Sequence, residues 1–176
     1  MEPWPKTGDR KGMNRIRAVS LLLVLSLLVV TPVAALHARY LDIVIDRDGD
    51  ATITFEYTLP WVEKVLAFLG AVNPERDLGQ ILAATTGGRV ERLPSVEGAA
   101  SFSVGRFANI TATPGLTIYD THALDLGWGQ AGYESSVLAP LLEPDFSPEV
   151  TVIRFPDAYS LTYRNLLQIP NVTHAF

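Results

Sequence analysis

The sequence predicts an α+β domain: an antiparallel β-sheet that opens with a β-hairpin and is backed by two consecutive helices, behind an N-terminal hydrophobic leader or anchor helix. Three observations predict it. An uncharged run of 19 residues, Ala18–Leu36, follows Arg15 and Arg17. Two β-rich segments flank the loop DRDGD at residues 46–50, and two stretches with helical spacing of apolar residues come next, before a series of short β-branched runs. Hairpin first, helices together and strands afterwards is the order of an α+β domain rather than of alternating βαβ units.

The N-terminal run has the parts of an export element: a basic flank, an apolar centre and a small-residue exit at Val33-Ala34-Ala35. Cleavage after Ala35 or after Ala38 makes it a signal peptide. Left uncleaved, it reaches about 28 Å as a helix, long enough to hold the chain in the cytoplasmic membrane through residues 18–36. Pro32 and the Ala pair favour cleavage, and MNRIRAVSLLL makes Met13 a second candidate start. Arg10-Lys11-Gly12 fits type IV pilin processing poorly, because Arg15 and Arg17 separate the Gly from the apolar run. The expected division is therefore residues 1–36 as leader or anchor and 37–176 as one extracytoplasmic domain.

Beyond Leu36 the chain holds 9 Lys/Arg against 17 Asp/Glu. Basic residues before the apolar run and an acidic body after it place the body outside the cytoplasm. The nine basic residues are scattered, so the body lacks the clustered cations that phosphate backbones require, and nucleic acid is excluded. With no cysteine, the exported body must rest on its hydrophobic core, and thiol nucleophiles, lipid attachment to Cys and thiolate metal sites are ruled out.

Tyr40–Ile45 and Thr52–Tyr57 are β-branched and aromatic, and DRDGD between them is turn chemistry. Trp61, Val65, Phe68, Leu69 and Val72 recur on one face of a first helix that Pro60 opens and Gly70 and Asn73-Pro74 close. A second helix runs from Pro74 to Thr86, with Asn73 as its cap, Glu75 and Asp77 in its first turn, Leu78, Ile81 and Leu82 buried, and Gly87-Gly88 as its stop. RVERL, SFSVGRFANITA, LTIY, EVTVIRF and YSLTY are strands separated by Pro, Gly and Asp.

Motifs with chemical meaning are sparse. Gly127–Gly132, GWGQAG, matches the dinucleotide pattern G-x-G-x-x-G but sits in no βαβ unit, so it reads as a glycine-rich surface loop and no nucleotide is expected. Asp46, Asp48 and Asp50 have the spacing of three calcium ligands. Ala51 and Tyr57 stand where the helix-loop-helix calcium loop needs Gly and Glu, which leaves a solvated turn or a calcium site completed by distant oxygens. Of the three histidines, His122 lies near Asp120 and Asp125 but forms no zinc motif, and no serine has a nucleophile-elbow frame. Asn109-Ile-Thr111 and Asn171-Val-Thr173 are glycosylation sequons. Trp61 and Phe68 on the first helix and Trp128 and Tyr133 by the glycine-rich loop are candidate interface aromatics.

The C-terminal run DFSPEVTVIRFPDAYSLTYRNLLQIPNVTH, with the cysteine-free acidic body and the short leader, resembles uncharacterised exported or membrane-anchored cell-envelope proteins of methanogenic archaea. The resemblance implies a place in the envelope and assigns no reaction or residue role. Taken together, the sequence points to a non-enzymatic extracytoplasmic binding or assembly module whose partners are other envelope proteins or glycans. The alternatives are an exported hydrolase using carboxylates and a calcium-stabilised adhesion domain. Protease added to intact cells should degrade the body; a body that resists until the cells are lysed would refute export.

Overall fold

The computed structural model describes residues 33–59, 73–127 and 142–176. The first predicted helix, with Trp61 and Phe68, lies outside them, as do Trp128 and Tyr133. The fold is mostly β, which corrects the α+β expectation of a sheet backed by two consecutive helices: one helix, α1 (Pro74–Thr86), lies wholly within the described residues beside twelve strands.

The leading strands are β1 (Val33–Ile45), β2 (Ala51–Thr58), β3 (Val90–Leu93), β4 (Ala99–Val104), β5 (Ala108–Thr113) and β6 (Leu116–Thr121). After them come β7 (Leu124–Asp125), β8 (Leu142–Asp145), β9 (Val150–Arg154), β10 (Ser160–Tyr163), β11 (Gln168–Ile169) and β12 (Thr173–Ala175). A seven-stranded sheet has the order β10-β9-β1-β2-β4-β3, with β8 also paired to β1. A second sheet of three strands has the order β12-β6-β5, and β11 pairs with β7 alone.

The predicted hairpin is present, with Ile45 opposite Ala51 across the turn. The sheet around it is mixed rather than antiparallel, because β1 pairs in parallel with β9 and, nearer its start, with β8. A parallel neighbour must come from a distant crossover, so the local alternation that reveals a strand carries no sign of it.

β1 is longer than Tyr40–Ile45 and takes in the last residues of the apolar run. Leu36 and Ala38 are fully buried, and so are Leu41, Ile43 and Ile45. Strand side chains alternate between faces, so even-numbered and odd-numbered residues cannot share a face in a regular strand. The register shift between Ala38 and Tyr40 resolves this: the extra residue, Arg39, is bulged, and both sets turn to the core. The contiguous unit accordingly begins at Val33, inside the stretch assigned to the leader.

The core packs the inner face of the large sheet, Ile43, Ile53, Phe55 and Phe102 among others, against Leu78, Ile81 and Leu82 of α1 and against Phe107, Leu124, Leu126 and Phe146. The outer face is polar: Arg154 donates from Nε to Asp42 Oδ1 at 2.9 Å and from a terminal nitrogen to the Tyr40 hydroxyl at 3.2 Å. The helix α1 forms where the sequence places it. Asn73 Oδ1 accepts the Arg76 N–H at 3.0 Å, and Gly87, at φ 60°, donates its N–H to the Ala83 carbonyl. Gly79 lets the helix approach the sheet, since a Cβ there would lie 3.2 Å from the Phe102 ring.

The depth of Leu36 gives a direct test of where the domain starts. Leu36→Ala should destabilise the full-length protein by about 2–5 kcal/mol in a denaturant titration, as for other buried leucines; an unchanged midpoint would return Leu36 to the leader.

Candidate functional site

The loop DRDGD is built as a turn that holds the two larger sheets together. Asp46 Oδ1 accepts the N–H groups of Asp48 at 2.9 Å and Asp50 at 3.0 Å, which folds the loop on itself. Asp50 Oδ1 accepts the Arg106 N–H at 2.7 Å, the Gly49 carbonyl accepts the Ala108 N–H at 2.8 Å, and the Arg47 carbonyl accepts the Tyr119 hydroxyl at 3.2 Å. Every one of these three bonds ties the β1–β2 turn to the β5–β6 hairpin or the loop leading into it. Gly49 has φ 84°, and a Cβ on it would lie 2.4 Å from the Ala108 carbonyl oxygen, so no other residue fits. Two of the three carboxylates proposed as calcium ligands are thus engaged with backbone amides. Among the described residues no group of three or more His, Asp or Glu side chains is arranged to hold a metal ion.

The turn presents the three-stranded sheet, whose two faces differ. On one face the register sets Asn109 beside Asp120 and Asp120 beside Thr173, and the Thr173 hydroxyl donates to Asp120 at 3.0 Å. Asn109, Thr111 and Asp120 are exposed there, and Asn171 is exposed just before β12, so both sequons lie at the surface of this one sheet. On the other face Ile110, Tyr119 and His174 are neighbours.

Around His174 the aromatic side chains converge. Its ring stacks on Tyr159 with centroids 4.2 Å apart and planes 9° apart, and it also lies 4.7 Å from Phe155 and 5.7 Å from Phe176. Nε2 lies 2.8 Å from Asp157 Oδ2. Desolvation is the largest influence on the Asp157 carboxyl and pushes its pKa up. The hydrogen bonds from His174 and from the Tyr159 N–H, with the His174 charge, act the other way and hold it below the ordinary aspartate value. No sequence spacing marks this pair; the one available signal was the aromatic content of the C-terminal run.

The strand β5 is one edge of this sheet, and the 3-residue β12 is the other. The His122 N–H donates to the Phe107 carbonyl at 3.0 Å, which continues the β5–β6 ladder by one pair. Hydrogen-bonded pairs alternate along an antiparallel ladder, so Asn109, Thr111 and Thr113 direct their backbone groups at β6. Ala108, Ile110 and Ala112 direct theirs away, and the Ala108 N–H is met by Gly49. From Asn109 to Thr113 every residue is exposed, and none is charged. The edges of the larger sheet are different: β3 carries Glu91 and Arg92, and β10 is only 4 residues long and runs into Arg164. Those are the usual devices that stop a strand from recruiting another; β5 is 6 residues long with neither charge nor Pro within it, and Pro114 closes it only at its far end.

Two further places were singled out by the sequence or by shape. A cleft of about 680 Å³ is lined by Arg39, Glu56, Tyr57, Glu75 and Glu97 among others. Burial raises the Tyr57 pKa, the Glu75 charge adds to this, and Arg92, which pairs with Glu75, partly opposes it. Gly127 follows β7, whose partner among the described residues, β11, is antiparallel, and its N–H donates to Asp125 Oδ1 at 2.9 Å; the motif therefore does not leave a parallel strand, as the entry to a βαβ unit does. Gly129 and Gly132 of that motif lie outside the described residues. His122 and Asp125 are half-buried and Asp120 is exposed; Asp125 caps the Gly127 turn and receives the Gln168 amide, while Asp120 faces Thr173.

No helix among the described residues is long and apolar enough to cross a membrane. Comparison with protein-family models, curated proteins and solved structures yields no match.

Because the Asp157 pKa is depressed in the fold, its contribution to stability is present above the ordinary aspartate pKa and is lost as the pH falls through the folded value. Asp157→Asn should therefore lower the melting temperature above about pH 5 and approach the wild-type value below about pH 3. A deficit that persists unchanged into acid would mean that the side chain contributes by packing and not by its charge.

Proposed function

We propose that this protein is a non-enzymatic module of the cell envelope, displayed outside the cytoplasmic membrane behind the part of its N-terminal apolar run that precedes β1, that assembles with other proteins by strand addition at β5. The observation that carries this reading is the open edge itself: an exposed, uncharged strand whose Ile110 and Ala112 backbone groups point away from their own sheet. Added strands gain main-chain hydrogen bonds along such an edge and take specificity from alternate side chains. The ties from Asp50, Gly49 and Arg47 support it further, because they anchor the start of β5 and the neighbouring β6 to the β1–β2 turn, and a preordered edge lowers the cost of binding.

The exported-hydrolase reading finds its best carboxylates in the cleft, where Glu56, Glu75 and Glu97 lie with Arg39. There Glu75 is bonded to Arg92, a paired carboxylate of the kind that shapes a surface as readily as a reaction. The calcium-stabilised adhesion reading depends on Asp46, Asp48 and Asp50, and of these Asp48 is the one not holding the turn or Arg106. Glycans on Asn109 and Asn171 would decorate the exposed face of the three-stranded sheet and leave the edge groups of Ile110 and Ala112 directed sideways.

The test is a substitution that closes the edge without breaking the fold. Proline at position 112 removes an N–H that does not serve the β5–β6 ladder, a position where edge strands tolerate it. Tagged full-length Ala112→Pro should keep the wild-type melting temperature within a few degrees and lose the proteins that co-purify with the wild type from membranes. If its partners remain at wild-type levels, strand addition at β5 is refuted.

A further inference from the structure

We infer that the strand added at β5 is β5 of a second copy of this chain, paired antiparallel about Thr111. The inference rests on the strand-addition reading and names its partner. An antiparallel pairing of a strand with itself is set by the residue on its two-fold axis, and three axes need comparison. About Ile110, the Ala112 groups would meet Ala108, whose N–H already donates to Gly49 at 2.8 Å. About Ala112, the Ile110 groups would meet Pro114, which has no N–H to give. About Thr111, Ile110 of one copy meets Ala112 of the other and the reverse, so every free N–H and C=O of the two residues is paired and the ladder ends where Pro114 and the Gly49-bound Ala108 stop it.

Side chains agree with this register. Thr111 meets Thr111 across the axis and Asn109 meets Thr113, with no like charges opposed, although the body of each copy is acidic. A partner of opposite charge would find nothing on Asn109–Thr113 to recognise, whereas an identical uncharged strand matches it in length and donor pattern. The product is one continuous sheet, twice the three strands of each copy, with Ile110 and Ala112 of both chains brought together on the Tyr119 face.

The absence of cysteine makes the axis directly measurable. In a non-hydrogen-bonded antiparallel pair the facing Cα atoms are about 4.5 Å apart, within disulfide reach. Full-length Thr111→Cys, oxidised in its own membranes, should form a covalent dimer about tenfold or more faster than Thr113→Cys, whose cysteine faces Asn109 of the other copy and is held far from its own equivalent. Adding Ala112→Pro to Thr111→Cys should abolish the difference. Equal rates for the two cysteine variants, or no dimer from either, would overturn the second-copy inference. Co-purification with Ala112→Pro alone then separates the two levels: if that variant still loses envelope proteins, the edge serves a different partner, and if it loses none, strand addition falls as well.

Discussion

The position of β1 is the constraint on which the rest of the molecule depends. It is hydrogen-bonded along both edges, to β2 on one side and to β8 and then β9 on the other. All of the large sheet is assembled outward from it. The bulge at Arg39 lets one strand bury Leu36 and Ala38 together with Leu41, Ile43 and Ile45, and without it one of these sets would face water. A fully buried leucine contributes about 1.5–3 kcal/mol by transfer alone, so the bulge decides whether the beginning of the strand belongs to the fold at all.

From β1 the constraint passes through DRDGD to the second sheet. The turn needs Gly49 for its backbone and Asp46 to close it, and it uses Asp50, Gly49 and Arg47 to grip the β5–β6 hairpin and its approach. Those bonds are local at one end and distant at the other: Asp50 and Arg106 are 56 residues apart. The same geometry that engages Asp46 and Asp50 with backbone amides therefore fixes the strand that the proposed assembly uses. Gly49 and Pro114 bracket the open edge, one by occupying the Ala108 N–H and the other by lacking an N–H, and they leave two residues of backbone free between them.

Ionisable groups in this fold work mainly as ties. Arg154 joins Asp42 and Tyr40 on the outer face, Glu75 joins Arg92 by the cleft, and His37 reaches Glu149 at 2.9 Å beside the β1–β8 pairing. His174 and Asp157 differ in that an aromatic cluster surrounds them, with the His174 side chain 14% and the Asp157 side chain 23% exposed. That pair joins the C-terminal strand to the loop after β9, and it positions the Tyr119 face of the second sheet through Phe155 and Phe176.

Local chemistry alone determined the β1–β2 hairpin, the α1 helix with its Asn73 and Gly87 caps, and the strands at β3, β4, β5, β6, β9 and β10, because alternation, capping and turn residues act over a few positions. Both sequons and all three aspartates of DRDGD were visible in the same way, though not what the aspartates bond. The run SFSVGRFANITA read as a single strand, yet the chain reverses at Arg106, φ 54°, and hands its two halves to different sheets. Only the tertiary structure decided the parallel partners of β1, the bulge at Arg39, the short strands β7, β8, β11 and β12, the meeting of His174 with Asp157 and the exposure of the β5 edge. Periodicity records which face of a strand is buried, whereas the identity of the neighbour, or its absence, is fixed by contacts between residues as far apart as Asp42 and Arg154.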